Sequence, residues 1–299
     1  MTENIIDISI IAPACNEREN IKEFYTLCMA ATKKIEKIIE IVFVDDGSDD
    51  GTGNVMNEIQ KMDPDHITII THLKNEGVTK SLKNGFNIAR GQFIIWLPTD
   101  LESNPEEDLP KMYKKYTDGA LVVAGRRENR GDGKLIASAV YNFVSRTLFS
   151  LKLKDMNWIK GFDRACLEEL TLNGDMHRFI LHDLNAKGYD IEEVQVNWYP
   201  RKYGVSKFGR KRFISSLVDV LGVWFILKFR DKPMRFFGTI FLLSIIIGLI
   251  MQAILTIIYL SIYTQFRPIL NISFYIQAFG VVSLYTGFLA ELILVSKSR

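Results

Sequence analysis

The stretch Glu40–Thr52, EIVFVDDGSDDGT, decides the fold. Its apolar run Ile41–Val44 has no polar alternation, which is typical of a strand covered on both faces of a sheet. The run leads directly into Asp45 and Asp46, and ligands of open α/β sheets bind at the carboxyl ends of strands. We therefore predict that this carboxylate pair hydrogen-bonds sugar hydroxyls or base N–H groups. The alternative is that the Asp and Ser residues here only cap the following helix.

Apolar runs alternate with helical patterns on both sides of this stretch. The predicted strands cover residues 7–12, 67–71, 93–97 and 121–124, and the predicted helices lie near residues 20–37, 79–90 and 106–116. Alternation of this kind indicates βαβ units. We therefore predict an α/β fold with a mostly parallel, Rossmann-like sheet.

Charge divides the 299-residue chain into an acidic and a basic part. From residue 201 onward there are 13 Lys and Arg against Asp219, Asp231 and Glu291, a formal charge of +10, which leaves −8 in the first 200 residues. Because the basic block adjoins very apolar segments, it indicates a membrane surface rather than nucleic acid as the partner. Three cysteines without metal-ligand spacing and the lack of a signal-peptide pattern favour a cytosolic setting for the acidic part.

The C-terminal third contains two apolar runs that are each long enough to cross a bilayer, residues 236–263 and 272–295. Lys and Arg cluster before the first run and after the second, whereas Arg267 alone lies between them. This asymmetry predicts a transmembrane hairpin with both termini in the cytoplasm. The preceding segment, Arg210–Phe229, mixes basic and aromatic residues and is predicted to be an amphipathic helix in the membrane interface, with a soluble core helix as the alternative.

Motifs spread over residues 7–235 resemble those of a known enzyme family. In order they are PACNERENI, VFVDDGSDDGT, Asn75-Glu-Gly77 with Gly85 and Gly91, and the strand leading to Asp100. Together they resemble family 2 glycosyltransferases with the GT-A fold. The later motifs GRRENRGDGKLIASAVYNF, GFDRACLEEL, GDMHRFI and PRKYGVSK are similar to the branch that transfers a sugar to a polyprenyl phosphate. That branch comprises the dolichyl-phosphate mannose synthases and the undecaprenyl-phosphate glycosyltransferases.

The resemblance implies that a nucleotide-diphosphate sugar binds across the carboxyl ends of the first strands. The donor-binding residues that it implies are Pro13, Asn16, Glu17, Asp45, Asp46, Gly77 and Asp100. Glycine at position 77 would permit close backbone approach to the ligand. For Asn16 and Glu17 the alternative is a role in helix capping alone.

The family's metal motif, Asp-Ala-Asp-Leu-Gln, reads Pro98-Thr99-Asp100-Leu101-Glu102 in this chain. The first Asp is missing, but Glu replaces Gln at the last position, so the pentapeptide keeps two negative charges. A diphosphate leaving group needs its charge neutralised, which Mg²⁺ or Mn²⁺ on carboxylates usually does. We therefore predict that Asp100 and Glu102 hold the metal; the alternative is an acidic loop without an ion.

A lipid phosphate acceptor removes the need for a general base, because its second pKa near 6 leaves it largely dianionic at pH 7. What it needs is cations that position it, and the bidentate fork of Arg suits this task. The acceptor-phosphate residues implied by the resemblance are Arg127, Lys134, Ser138, Arg201 and Lys207. The implied catalytic residues are Asp100, Arg127, Asp155 and Arg201. We expect His177 to have a structural hydrogen-bonding role rather than that of a base.

These observations predict a membrane-anchored, metal-dependent transferase that makes a polyprenyl-phosphate monosaccharide with inversion of the anomeric centre. The predicted domains are a cytoplasmic GT-A catalytic domain (1–205), juxtamembrane amphipathic helices (206–235) and a transmembrane hairpin (236–299) in the cytoplasmic membrane. A homo-oligomer, a separate flippase and a downstream extracytoplasmic glycosyltransferase are further partners that the resemblance leaves open. The alternatives are another membrane family 2 enzyme, such as a processive synthase, and a catalytically silent scaffold that binds lipid or nucleotide sugar. The chain lacks the Q-x-x-R-W element of processive synthases.

Overall fold

The computed structural model describes residues 6–128, 144–149, 151, 153–170, 172, 176–203, 211–262 and 267–297. The chain forms two compact units, Met1–Val220 and Leu221–Arg299. Three of the predicted acceptor residues, Lys134, Ser138 and Lys207, lie outside the described residues.

The first unit is built on a seven-stranded sheet with helices between most of its strands. The strands are β1 (Ile8–Ala14), β2 (Ile39–Asp45), β3 (Ile67–Thr71), β4 (Phe93–Trp96), β5 (Val122–Glu128), β6 (Lys160–Asp163) and β7 (Ile191–Asn197). The helices are α1 (Arg18–Ile35), α2 (Thr52–Met62), α3 (Val78–Ile88), α4 (Pro105–Thr117), α5 (Ala165–Glu169) and α6 (Ile180–Ala186), and residues 144–149 are helical as well. A 3-10 turn, Met176–Phe179, precedes α6.

The sheet is parallel except for one strand, with the strand order β3-β2-β1-β4-β6-β5-β7. Strand β6 runs antiparallel to both of its neighbours, β4 and β5, whereas β5 and β7 pair in parallel. The predicted α/β class with a mostly parallel sheet is therefore confirmed. Parallel strands place their carboxyl ends at one edge, so the residues that follow β1, β2, β4, β5 and β7 meet there.

Two apolar layers, one on each face of the sheet, form the core. Ile41 and Phe43 of β2 lie in the layer that contains Phe24 of α1, while Val42 and Val44 lie in the layer with α3. All four β2 side chains are fully buried, as the unbroken apolar run predicted. Each such side chain contributes roughly 1.5–3 kcal/mol by its burial.

The second unit contains two long apolar helices, α8 (Pro233–Ile262) and α9 (Arg267–Lys297), which follow α7 (Lys211–Phe229). The segments Pro233–Ser261 and Asn271–Ser296 are long and apolar enough to cross a membrane. The two helices pack against each other, and the Gln277 side chain donates to the Gln252 amide oxygen at 3.2 Å. They form a candidate transmembrane hairpin, in agreement with the sequence prediction.

Glu291 has a defined contact within this hairpin. Its carboxylate accepts a hydrogen bond from the backbone N–H of Met234 at 3.4 Å, in the first turn of α8. The first N–H groups of a helix have no partner inside the helix, and the helix dipole favours a negative charge there. The Glu291 side chain of α9 therefore caps the N-terminus of α8, a contact that the sequence did not indicate.

Candidate active site

The loops that follow β1 and β2 are joined by reciprocal hydrogen bonds. The Asn16 side chain donates to Asp49 at 2.8 Å and accepts from the Asp49 N–H at 3.0 Å. The Glu17 N–H donates to the Thr52 hydroxyl at 2.9 Å. Although Glu17 is the N-cap residue of α1, its side chain makes no capping bond there. The structure thus uses Asn16 to fix one loop against the other, rather than for helix capping alone.

The carboxylate pair after β2 is buried, and each member has a separate task. Asp45 accepts a hydrogen bond from the N–H of Ser48 at 3.0 Å and so shapes the turn. Asp46 accepts from the N–H groups of Glu76 at 2.8 Å and Gly77 at 2.9 Å. The N-cap residue of α2 is Gly51, so neither Asp is its cap.

A further contact of Asp46 was not predicted. The ring Nδ1 of His72 lies 2.8 Å from Asp46 Oδ1, and its Nε2 lies 2.9 Å from the side-chain nitrogen of Asn84 in α3. Gly47 brings the turn close to this segment: it has φ +69°, and a Cβ there would lie 2.4 Å from the backbone of Lys74. Asp46 therefore anchors the segment 72–77, and contact between Asp46 and a nucleotide stays a prediction.

The loop after β4 presents both predicted metal ligands on a strained backbone. Leu101, between them, has φ +57°, the left-handed region that a branched side chain rarely adopts. The N–H of Glu102 donates to Asp100 Oδ1 at 3.2 Å, and the Thr99 hydroxyl donates to the carbonyl of Pro13 at 3.2 Å. This places the two carboxylates together and ties their loop to the end of β1.

Arg201, the predicted acceptor residue after β7, lies between these two carboxylates. Its Nη2 is 2.5 Å from Asp100 Oδ2 and its Nε is 2.6 Å from Glu102 Oε1. Burial raises the pKa of Asp100, and the Arg201 charge opposes that effect. Burial works to lower the pKa of Arg201, but Asp100, Glu102 and then Glu17 outweigh it and raise that pKa. The guanidinium of Arg201, the predicted acceptor residue, thus contacts both predicted metal ligands.

The segment after β7 also holds Glu102 from two other directions. The indole N–H of Trp198 donates to Glu102 Oε2 at 3.3 Å, and the N–H of Tyr199 donates to the Glu102 carbonyl at 3.0 Å. The Tyr199 hydroxyl lies 3.0 Å from both carboxylate oxygens of Glu107 in α4. These contacts hold the candidate metal loop, residues 98–102, against the segment that follows β7 and carries Arg201.

The chemistry of the donor set fits a hard divalent cation that is completed by its substrate. Among the described residues, no group of three or more His, Cys, Asp or Glu is placed to hold a metal. Two carboxylates are enough for Mg²⁺ or Mn²⁺ when substrate phosphates and water supply the remaining oxygens. Asp100 and Glu102 would hold such an ion, which would neutralise charge on the leaving diphosphate.

Arg127 and Asp155 form a second, nearly buried ion pair at the carboxyl end of β5. Arg127 Nε and Nη2 lie 2.6 Å and 3.0 Å from the two Asp155 oxygens, and the guanidinium stacks 4.5 Å from the centre of the Trp158 ring. Burial acts to raise the pKa of Asp155, but hydrogen bonds and charge from Arg127 lower it overall. Sequence resemblance proposed Arg127 and Asp155 separately, and the structure pairs them.

A buried lysine, Lys160, interacts electrostatically with this pair, and the sequence did not indicate it as functional. Lys160 Nζ donates to the Trp158 carbonyl at 3.0 Å and lies 4.6 Å from the centre of the Trp96 ring. Burial lowers its pKa to about 7.

His177 has the structural contact that the sequence predicted. Its Nδ1 lies 2.8 Å from the hydroxyl of Thr79 in α3, and its ring meets Trp96 edge-on at 6.1 Å. These contacts tie the 3-10 turn to the sheet.

A mostly parallel sheet, with a carboxylate loop after β4 and basic side chains at the same edge, defines a glycosyltransferase of the GT-A class. The profile of Glycosyl transferase family 2 matches residues 9–170, more than half of the chain, and the chain belongs to that family. The prediction of an enzyme of this family is confirmed.

Two similar proteins indicate which branch of the family this chain resembles. Dodecaprenyl-phosphate galacturonate synthase of Rhizobium johnstonii is 28% identical over 303 residues, covering 96% of this chain and 88% of that protein. Undecaprenyl-phosphate 4-deoxy-4-formamido-L-arabinose transferase of Proteus mirabilis is 27% identical over 222 residues, covering 73% of this chain and 68% of that protein. These relatives confirm the resemblance to the polyprenyl-phosphate glycosyltransferase group.

A solved structure shows the same fold. The mannosyltransferase PcManGT from Pyrobaculum calidifontis, in complex with GDP-Man and Mn²⁺, superposes with a TM-score of 0.54 at 16% identity. The match covers 97% of this chain and 79% of that chain.

Proposed function

We propose that this protein transfers a monosaccharide from a nucleotide-diphosphate sugar to a polyprenyl phosphate, with inversion at the anomeric carbon. The observation that carries the proposal is the position of Arg201, 2.5 Å from Asp100 and 2.6 Å from Glu102. A basic residue suited to the acceptor phosphate is thus in contact with the carboxylates suited to the donor's metal. Acceptor and donor phosphates would therefore meet at this point of the sheet edge.

The acceptor would bring its own nucleophile. A phosphate monoester is largely dianionic at neutral pH, so Arg127 and Arg201 need only hold it in line with the anomeric carbon. Asp155 and the Trp158 ring restrict the Arg127 side chain, which reduces the entropy lost on binding. Lys134, Ser138 and Lys207 would complete the phosphate site. A single displacement inverts the anomeric centre, so an α-linked donor gives a β-linked product.

On the donor side, the loops after β1 and β2 would hold the nucleotide. Asn16, Asp45, Asp46 and Gly77 form the frame of that region, and Pro13 and Glu17 border it. A divalent cation on Asp100 and Glu102 would neutralise the leaving diphosphate. The GDP-Man and Mn²⁺ bound to the structurally similar mannosyltransferase PcManGT support this arrangement.

The membrane hairpin would keep the catalytic domain at the surface where the prenyl phosphate lies. We propose residues 1–205 as the cytoplasmic catalytic domain, 206–235 as interfacial helices and 236–299 as the anchor in the cytoplasmic membrane. The Lys and Arg residues that flank the hairpin support cytoplasmic termini. A flippase and an extracytoplasmic transferase would then use the product, and a homo-oligomer is compatible with this scheme.

The test is a transfer assay on the purified full chain in lipid nanodiscs. It combines Mn²⁺ or Mg²⁺, undecaprenyl or dolichyl phosphate, and a panel of labelled UDP- and GDP-sugars, and scores label in the organic phase. We expect one donor to give product only with the metal. Asp100→Asn should lose activity at least about 100-fold, since the metal that Asp100 would hold stabilises the charge of the transition state by several kcal/mol. Glu102→Gln, which restores the family's residue, should retain more activity than Asp100→Asn.

Two results would contradict the proposal. Transfer to soluble glycans but to no prenyl phosphate would favour another family 2 reaction. No transfer from any donor, together with intact lipid or nucleotide-sugar binding, would favour the scaffold alternative.

A further inference from the structure

The Arg201 side chain occupies the place between Asp100 and Glu102 where the proposed metal would bind. Arg201 contacts one oxygen of each proposed metal ligand, Asp100 Oδ2 and Glu102 Oε1. The remaining two oxygens also accept hydrogen bonds, Asp100 Oδ1 from the Glu102 N–H and Glu102 Oε2 from Trp198. All four carboxylate oxygens therefore have protein donors.

Each of these oxygens keeps a further lone pair, but a divalent cation on Asp100 and Glu102 would compete with the Arg201 guanidinium that bridges the same two carboxylates. Mg²⁺ needs oxygen ligands at about 2.0–2.1 Å, and a guanidinium on the same two carboxylates would add like-charge repulsion. The backbone N–H of Glu102 is fixed by its loop, and Trp198 is held next to Tyr199, which bonds to Glu102 and Glu107. Arg201 is the cation among these donors, and its long side chain can turn while its backbone stays in place.

We infer that Arg201 is an exchangeable counter-ion: it leaves Asp100 and Glu102 when the donor's metal binds, and only then becomes available to the acceptor phosphate. This inference rests on the proposed function, because it concerns the same donor and acceptor sites. It predicts an order of binding in which metal and nucleotide sugar precede productive phosphate binding. Before the exchange, Asp100 and Glu102 satisfy the guanidinium, and their charges repel a phosphate.

The surrounding charges support an exchange rather than a permanent pair. Among the described contacts, Arg201 pairs with two carboxylates at once, so one positive charge faces two negative charges and these three groups have an excess of negative charge. A divalent ion would compensate that excess better than the single charge of Arg201. Trp198 and Tyr199 would keep Glu102 oriented while its ligand changes.

The first experiment measures Mn²⁺ binding to the full chain in nanodiscs, by the loss of the free-Mn²⁺ EPR signal, without nucleotide or acceptor. We expect Arg201→Gln to bind Mn²⁺ at least about tenfold more tightly than wild type, because the competing cation is gone. Arg201→Lys, which keeps the charge but loses the fork, should lie between the two. The matched control is Arg126→Gln, which removes the same charge from an ion pair with Glu128 at 3.0 Å on β5 and should leave the Mn²⁺ affinity unchanged.

The second experiment measures the coupling between metal–nucleotide binding and acceptor binding. Farnesyl phosphate in the nanodisc serves as the acceptor probe, and its affinity is compared with and without Mn²⁺ plus UDP or GDP. In wild type the metal–nucleotide pair should strengthen farnesyl phosphate binding at least about fivefold, and in Arg201→Gln this effect should disappear. Thermal unfolding of each variant shows whether it is folded. If Arg201→Gln is misfolded, the comparison of Arg201→Lys with wild type tests the inference.

Equal or weaker Mn²⁺ binding by folded Arg201→Gln and Arg201→Lys would overturn the inference. So would full wild-type transfer in excess EDTA, since Arg201 would then serve permanently in place of a metal. Neither Mn²⁺ titration nor phosphate binding requires sugar transfer. A failure of the proposed reaction would therefore appear only in the transfer assay, separately from a failure of the exchange.

Discussion

The pair formed by Arg127 and Asp155 permits a quantitative prediction. Its two hydrogen bonds measure 2.6 Å and 3.0 Å, and only 10% and 9% of the two side chains are exposed. Removal of one partner from such a pair leaves a buried charge without compensation, which costs roughly 3–5 kcal/mol. Arg127→Met should therefore destabilise the catalytic unit by about this amount.

A double-mutant cycle separates the pair from other effects. In Arg127→Met the pKa of Asp155 should rise, because Arg127 is the main group that lowers it in wild type. Asp155→Ala in the same background should recover part of the stability, giving a coupling energy of about 0.5–3 kcal/mol. The sign of the pH effect follows from linkage: the stability from Asp155 is present above its unfolded pKa and is lost as pH falls through its lower folded pKa.

The assays are denaturant unfolding in detergent and steady-state transfer. Asp155→Ala should raise the KM for prenyl phosphate at least about tenfold, while the KM for the nucleotide sugar stays within about twofold, since Arg127 loses its fixed orientation. The reasoning is refuted if the single effects are additive in stability and Asp155→Ala leaves the acceptor KM unchanged.

Three further predictions concern other parts of the site. Asp46→Asn should raise the KM for the nucleotide sugar about tenfold and lower the melting temperature, because an amide NH₂ would face the N–H of Gly77; an unchanged KM would contradict this. His177→Phe should keep the pH profile of transfer and lose less than about tenfold in kcat, whereas loss of one limb of the profile would show that His177 is a base. Lys160→Met should be more stable than wild type at pH 6, and this difference in the free energy of unfolding should shrink towards pH 10. The pKa of Lys160 in the folded protein, about 7, lies below the ordinary 10.5. Wild type therefore gains stability as the pH rises between these two values. Circular dichroism melts across pH check this, and an advantage that grows with pH would contradict it.

The sequence determined much of this protein by local and periodic signals. The unbroken run Ile41–Val44 is typical of a strand covered on both faces, and the structure buries all four side chains. The length and lack of charge of the two C-terminal runs likewise determined the candidate hairpin, since a bilayer sets its own length requirement. These features depend on the order of residues along the chain and not on distant contacts.

Some helix and strand limits followed from local chemistry that the patterns did not resolve. The first apolar helix begins at Pro233 rather than at residue 236, because proline suits the first turn of a helix, where its missing N–H is not needed. The short strand β6 was not predicted. Its four residues carry too little periodicity, and pairing with β4 and β5 decides their conformation.

Motif resemblance proposed the residues of the site but not their pairing. Arg201 and Asp100 are 101 positions apart and Arg127 and Asp155 are 28 apart, so only the strand order brings each pair together. The contact of Trp198 with Glu102 and the left-handed backbone of Leu101 likewise carry no signal in the sequence. The sequence by itself determined which chemical groups this protein has and the sheet edge at which they lie. Only the tertiary structure decided which charge faces which, because a buried guanidinium must take its partners from whatever loops the folded sheet places beside it.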